Sequence, residues 1–179
     1  TTGTNADLSI SGELIQDGTG DNTIGADITA DKGVNIATDI TLDGDPDEVI
    51  TIATDGNPDS DITISGDISN TDGESLVFNS GNDADLTISG DITLTGGPTT
   101  PEDGGDLTIN TANIALISGT LDLTGDLDFT GNDLTLNGGP GNRIGGDLLV
   151  TNDGTFTTGN DADLTIGGEL IQDGTGDNT

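Results

Sequence analysis

Side-chain oxygens are the most abundant reactive groups in this sequence, and two stretches space them in a way that suits a metal ion. Asp55-Gly56-Asn57-Pro58-Asp59-Ser60-Asp61 places oxygens at alternate positions 55, 57, 59 and 61. Asp43, Asp45 and Asp47 repeat the alternation in the acidic loop from Asp43 to Glu48. Alternation within a turn can aim several carboxylates at one point, and Ca²⁺ takes about six to eight oxygens. The candidate metal ligands are therefore Asp43, Asp45, Asp47, Asp55, Asn57, Asp59 and Asp61, with calcium as the ion. The competing reading is a pair of solvated turns whose Asp and Asn side chains cap their own backbone.

The alternation resembles the start of an EF-hand loop but departs from it. Ser60 and Glu48 stand where that loop needs a sharp-turn glycine, and no bidentate Glu follows at its distance. A second set of groups is hydroxylic: Ser9, Thr63, Thr87, Thr108, Thr135 and Thr165 lie between aliphatics and are expected to form an outward column. A flat Thr array can bind ice, yet the flanking outward residue here is Asp, and Thr is in any case a good strand former. Catalysis has little to work with. There is no His or Cys, and Lys32 and Arg143 are the only basic residues. Paired carboxylates can hydrolyse glycosides, but 34 acidic residues make chance pairs inevitable. The chain reads as no enzyme.

The elements that position these groups are short strands. Asp85-Leu86-Thr87-Ile88-Ser89-Gly90-Asp91-Ile92 is nearly restated at Asp61 to Ile68, with close variants at Asp7 to Leu14 and Asp163 to Leu170. In each, two aliphatics sit two apart, so an extended backbone turns both to one face and the hydroxyl residue to the other. Gly and Asp recur too often for long helices, and no sustained i, i+3, i+4 spacing exists.

Composition limits the partners. The net charge is −32, which argues against nucleic acid and anionic membranes. Leu, Ile, Val and Phe make up 43 of 179 residues, above the roughly 20% below which chains stay disordered. No stretch approaches the roughly 18 apolar residues of a membrane span. Without Cys there is no disulfide or thiolate framework.

Residues 1–23 and 157–179 match at 19 of 23 positions, differing only at 4, 5, 9 and 11. A long repeat of 156 residues is thus restarted by 157–179, inside one segment spanning 1–179. Such a chain reads as a window on a longer tandem array, the alternative being one end duplication. Between Leu8 and Leu164 lie about 20 strand signals. The expected fold is all-β: a parallel β-solenoid, a right-handed β-helix of roughly seven coils of about 22 residues per long repeat. At about 4.8 Å per coil the long repeat rises roughly 34 Å. A two-sheet sandwich is the rival, weakened by the very short strands.

The Leu-Thr-Ile-Ser-Gly-Asp-Ile strings, and the run from Gly119-Thr120-Leu121-Asp122-Leu123-Thr124-Gly125 to Leu134-Thr135-Leu136-Asn137-Gly138, resemble the β-helical stalks of large bacterial surface proteins. Those are the filamentous-haemagglutinin-like exoproteins and autotransporter passenger domains. The resemblance implies an extracellular or cell-surface location and a structural role, as a segment of a filament or stalk. Its partners would be copies of itself, end to end, with calcium stabilising the acidic surface. The second expectation is a calcium-stabilised adhesin binding glycan or a cell surface. Its best site would be the loop Gly96 to Gly105, which lacks an aromatic residue to stack on a sugar.

Overall fold

The computed structural model describes residues 1–55, 60–81, 83–97, 104–111 and 113–178. The chain winds in coils of three short strands. The first holds β1 (Leu8–Ile10), β2 (Glu13–Gln16) and β3 (Asn22–Ile24). The second holds β4 (Ile28–Ala30), β5 (Gly33–Ile36) and β6 (Ile40–Leu42), and the third β7 (Val49–Thr54), β8 (Ile62–Ile64) and β9 (Ile68–Asn70). The fourth has β10 (Ser75–Ser80), β11 (Leu86–Ile88) and β12 (Ile92–Leu94), and the fifth β13 (Leu107–Thr111), β14 (Ile114–Ile117) and β15 (Leu121–Leu123). The sixth has β16 (Leu127–Gly131), β17 (Asp133–Leu136) and β18 (Asn142–Ile144), and the seventh β19 (Leu148–Asn152), β20 (Thr155–Thr158) and β21 (Leu164–Ile166). An eighth coil is begun by β22 (Leu170–Gln172) and β23 (Asp177–Asn178).

Every third strand stacks on the one before it, in parallel. Sheet A runs β1-β4-β7-β10-β13-β16-β19-β22, sheet B runs β2-β5-β8-β11-β14-β17-β20-β23, and sheet C runs from β3 to β21. The protein is therefore a parallel β-solenoid of about seven turns, as its sequence pattern predicts. Among the described residues no helix interrupts it.

The inward residues form continuous aliphatic columns. In sheet A, Ile28, Ile52, Phe78, Ile109, Phe129 and Val150 lie in one register, and all are at most 3% exposed. Burying each such side chain contributes roughly 1.5–3 kcal/mol. The middle residue of each strand turns outward, as with Thr63 between Ile62 and Ile64. Period-two alternation thus separates a dry core from a wet face.

Coil length is not constant. Register partners are 20 residues apart at Leu8 and Ile28 but 31 apart at Phe78 and Ile109. Loops at the corners absorb the excess, so the strands stay in step. At the tightest corners backbone lies on backbone: a Cβ on Gly90 would collide with the carbonyl of Gly66, and one on Gly119 with that of Gly90. Glycine is required there by close approach.

Candidate functional site: the acidic corners

From the second coil to the start of the seventh, the aspartate that opens a strand tetrad does more than meet solvent. Its Oδ1 accepts the backbone N–H of the residue above it in the next coil. At the corner before sheet C, Asp39 takes Asp67 N–H at 2.9 Å, Asp67 takes Asp91 at 2.8 Å, and Asp91 takes Thr120 at 2.6 Å. Between sheets A and B, Asp61 takes Asp85 at 2.9 Å and Asp133 takes Thr155 at 2.6 Å. At the corner before sheet A, Asp106 takes Asp126, Asp126 takes Asp147, and Asp147 takes Glu169, at 2.7–2.8 Å. Meanwhile the backbone carbonyl of the upper aspartate accepts from the residue after the lower one, as in Ile40 N–H to Asp67 O at 2.8 Å. The corner backbone, which a plain parallel ladder would leave incomplete, is thereby satisfied.

The cost is a column of like charges along each corner. Asp128, the outward residue between Leu127 and Phe129, stands beside the column of Asp106, Asp126 and Asp147. Partial burial among the neighbouring strands, and then repulsion from Asp126, Asp106 and Asp147, hold its carboxyl above the ordinary value of 3.8.

The seven candidate calcium ligands separate into different places. The loop carrying Asp43, Asp45 and Asp47 lies at the corner between sheets C and A, whereas Asp55 and Asp61 flank the corner between A and B. Asn57 and Asp59 lie outside the described residues. Asp43 accepts the Thr71 hydroxyl at 3.3 Å, and Asp45 accepts the Asn5 amide at 3.2 Å. Glu48 accepts Asp45 N–H at 2.8 Å, which closes the loop as a capped turn. Asp61 belongs to the corner ladder. Asp47, at φ 62°, instead comes together with Asp106 and Asp126 around an open groove of about 570 Å³. Among the described residues, no three acidic side chains are arranged to hold a metal ion.

The hydroxyl set does not form one column. Ser9 and Thr108 lie on sheet A, Thr63, Thr87 and Thr135 on sheet B, and Thr165 on sheet C. Even within sheet B, Leu116 stands between Thr87 and Thr135. The coils differ in length, so residues alike in sequence context need not share a face. The most continuous hydroxyl row is on sheet C, where Thr23, Thr41, Ser69 and Thr93 are in register. Further along that face Arg143 pairs with Asp122 at 3.2 Å.

Two structural residues had no motif to reveal them. Glu74 is fully buried, yet its carboxylate accepts the N–H groups of Gly44, Thr71 and Asp72 at 2.9–3.1 Å and the Thr71 hydroxyl at 3.3 Å. It ties the 43–48 loop of one coil to the next. Buried Asn142 accepts Leu121 N–H at 2.9 Å and donates to the carbonyls of Gly138 and Gly139. It takes the place that a corner backbone carbonyl fills elsewhere, and it holds the 137–141 turn. The Gly96 to Gly105 loop is described only at its ends, where Gly96 N–H is held by the Thr124 hydroxyl and Gly104 and Gly105 have φ of 88° and 72°. Comparison with protein-family models, curated proteins and solved structures finds no match to this chain.

Proposed function

We propose that the chain is a structural segment of an extracellular filament or surface stalk, in which solenoid coils continue end to end from one copy to the next. One observation carries this reading. The coil-on-coil contact keeps one form along the axis, parallel strands in register with aliphatic columns within, and an aspartate-to-amide bond recurs at many of its corners. A contact that repeats unchanged along an axis can be extended by another copy with no new surface. The work of such a segment is mechanical, and it needs no catalytic group. Its acidic columns also give a reason for calcium or another divalent cation to associate with the surface, since paired charge would relieve repulsion along each corner.

The test is negative-stain electron microscopy of the 179-residue chain across a range of salt and calcium concentrations. The reading expects thin unbranched fibres whose length grows as repulsion is screened. Compact particles under every condition would sink it and leave the adhesin reading, to be pursued through the 96–105 loop.

A further inference from the structure

The duplicated segment returns on a different face. Residues 157–179 repeat 1–23 at 19 of 23 positions. Yet β1 lies in sheet A and its counterpart β21 in sheet C, while β2 lies in sheet B and its counterpart β22 in sheet A. Local structure survives the move: the Gln16 amide donates to Gly20 O at 3.0 Å, and Gln172 donates to Gly176 O at 3.2 Å. The same string therefore turns the corner from B to C in one place and from A to B in the other. From β1 to β21 the chain advances 20 strands, which is six and two-thirds coils rather than seven.

Resting on the filament reading, we infer that the surface receiving a second copy is the coil β21–β22–β23, and that the partner sits on it turned by one third of a turn. The partner's β1 then lies on β21, its β2 on β22 and its β3 on β23. In a stack built of these 23 strands, sheets A and B hold eight each and sheet C seven, so a flush addition puts the partner's first strand on sheet C. A partner placed with sheet A on sheet A would leave sheet C one strand short, with a row of unpaired N–H and C=O groups inside the joint. The turned joint also matches chemistry. Leu8 falls on Leu164, Ile10 on Ile166 and Leu14 on Leu170, covering inward positions such as Leu8 at 36% and Leu170 at 55% exposure. Asp7 and Glu13 extend the corner columns above Asp163 and Glu169. In the unturned joint the sheet registers would put Leu8 on Gln172 and Leu14 on Asn178.

The remainder is the same for a tandem chain, whose repeats are 20 strands apart, and for stacked copies of 23 strands. Each surface feature would face three directions in succession, and the same face would return after three copies. In tandem spacing the step is about 32 Å and the full period about 96 Å.

The absence of Cys makes a disulfide test clean. Ser9 and Thr165 face outward, and the turned joint makes them register neighbours about 4.8 Å apart, within the Cα range of a disulfide. The variant Ser9→Cys/Thr165→Cys, oxidised under fibre-forming conditions, is expected to give a ladder of multimers on a non-reducing gel. Ser9→Cys/Asp173→Cys reports the unturned joint, in which the sheet A register makes those two residues neighbours, and is expected to give none. A ladder only in the second variant, equal ladders in both, or fibres with a ladder in neither would overturn the rotation and leave the filament standing. If the unsubstituted chain forms no fibres, the filament reading fails and the rotation falls with it.

Discussion

The carboxylate of Asp67 accepts the backbone N–H of Asp91 at 2.8 Å, although the two side chains carry the same charge and stand on adjacent coils. One group serves two opposed ends: it completes the corner hydrogen bonding and it adds to a column of repulsion. The balance can be measured by separating the acceptor from the charge.

Asp67→Asn keeps an oxygen for Asp91 N–H and removes one charge from the column. Asp67→Ala removes both. Urea unfolding is expected to show the Ala variant less stable by ~1–3 kcal/mol, the usual cost of an unmatched amide. The Asn variant is expected to equal or exceed the parent at low salt. An Asn variant as unstable as the Ala variant would mean that the charge itself holds the corner.

Stability as a whole should rise with salt, because a chain of net charge −32 repels itself. The calcium proposal predicts more. Calcium should raise Tm beyond sodium chloride at matched ionic strength, and chelation should reverse the excess. Equal shifts would leave only general screening.

Asp128 gives a pH dependence with a definite sign. Its carboxyl is held above 3.8 in the folded protein, by partial burial and by Asp126, Asp106 and Asp147. The folded state therefore binds that proton more tightly than the unfolded chain does. Its contribution to stability falls as pH rises from 3.8 through the raised value. Asp128→Asn should accordingly be more stable than the parent at neutral pH, and the gap should close as pH falls toward 3.8. Thermal melts at several pH values would show it. A gap independent of pH would point instead to packing by the amide.

Glu74 should be among the least replaceable residues. Glu74→Ala strands three backbone N–H groups and a hydroxyl in a buried corner. Each costs ~1–3 kcal/mol when left unmatched, so a total loss of about 3 kcal/mol or more is expected in denaturant unfolding. Glu74→Gln turns an amide donor toward those donors and should recover only part of it. A Glu74→Ala variant within about 0.5 kcal/mol of the parent, the range of ordinary surface changes, would show that water can replace the carboxylate.

What the sequence determined by itself was local. Aliphatics two apart, with a hydroxyl between and Asp before, give a strand with one wet face whatever surrounds it, as at Leu86-Thr87-Ile88. Repeated with glycine corners and no helical spacing, that unit leads to a parallel solenoid of about seven coils. The tertiary structure decided everything that depends on which coil lies above which. Loops of different length separate register partners by 20 residues in one place and 31 in another. Position along the chain therefore does not predict position along the axis. For that reason the hydroxyl residues scatter over three faces, and the candidate calcium loops occupy separate corners. Glu74 shows the same limit: between Gly73 and Ser75 it looks like one more surface acid, and only the neighbouring coil supplies the Gly44 amide that helps bury it. The one-third turn is the remaining case. Sequence identity between 1–23 and 157–179 fixes a period in residues, whereas the face on which that period closes depends on strands counted in threes.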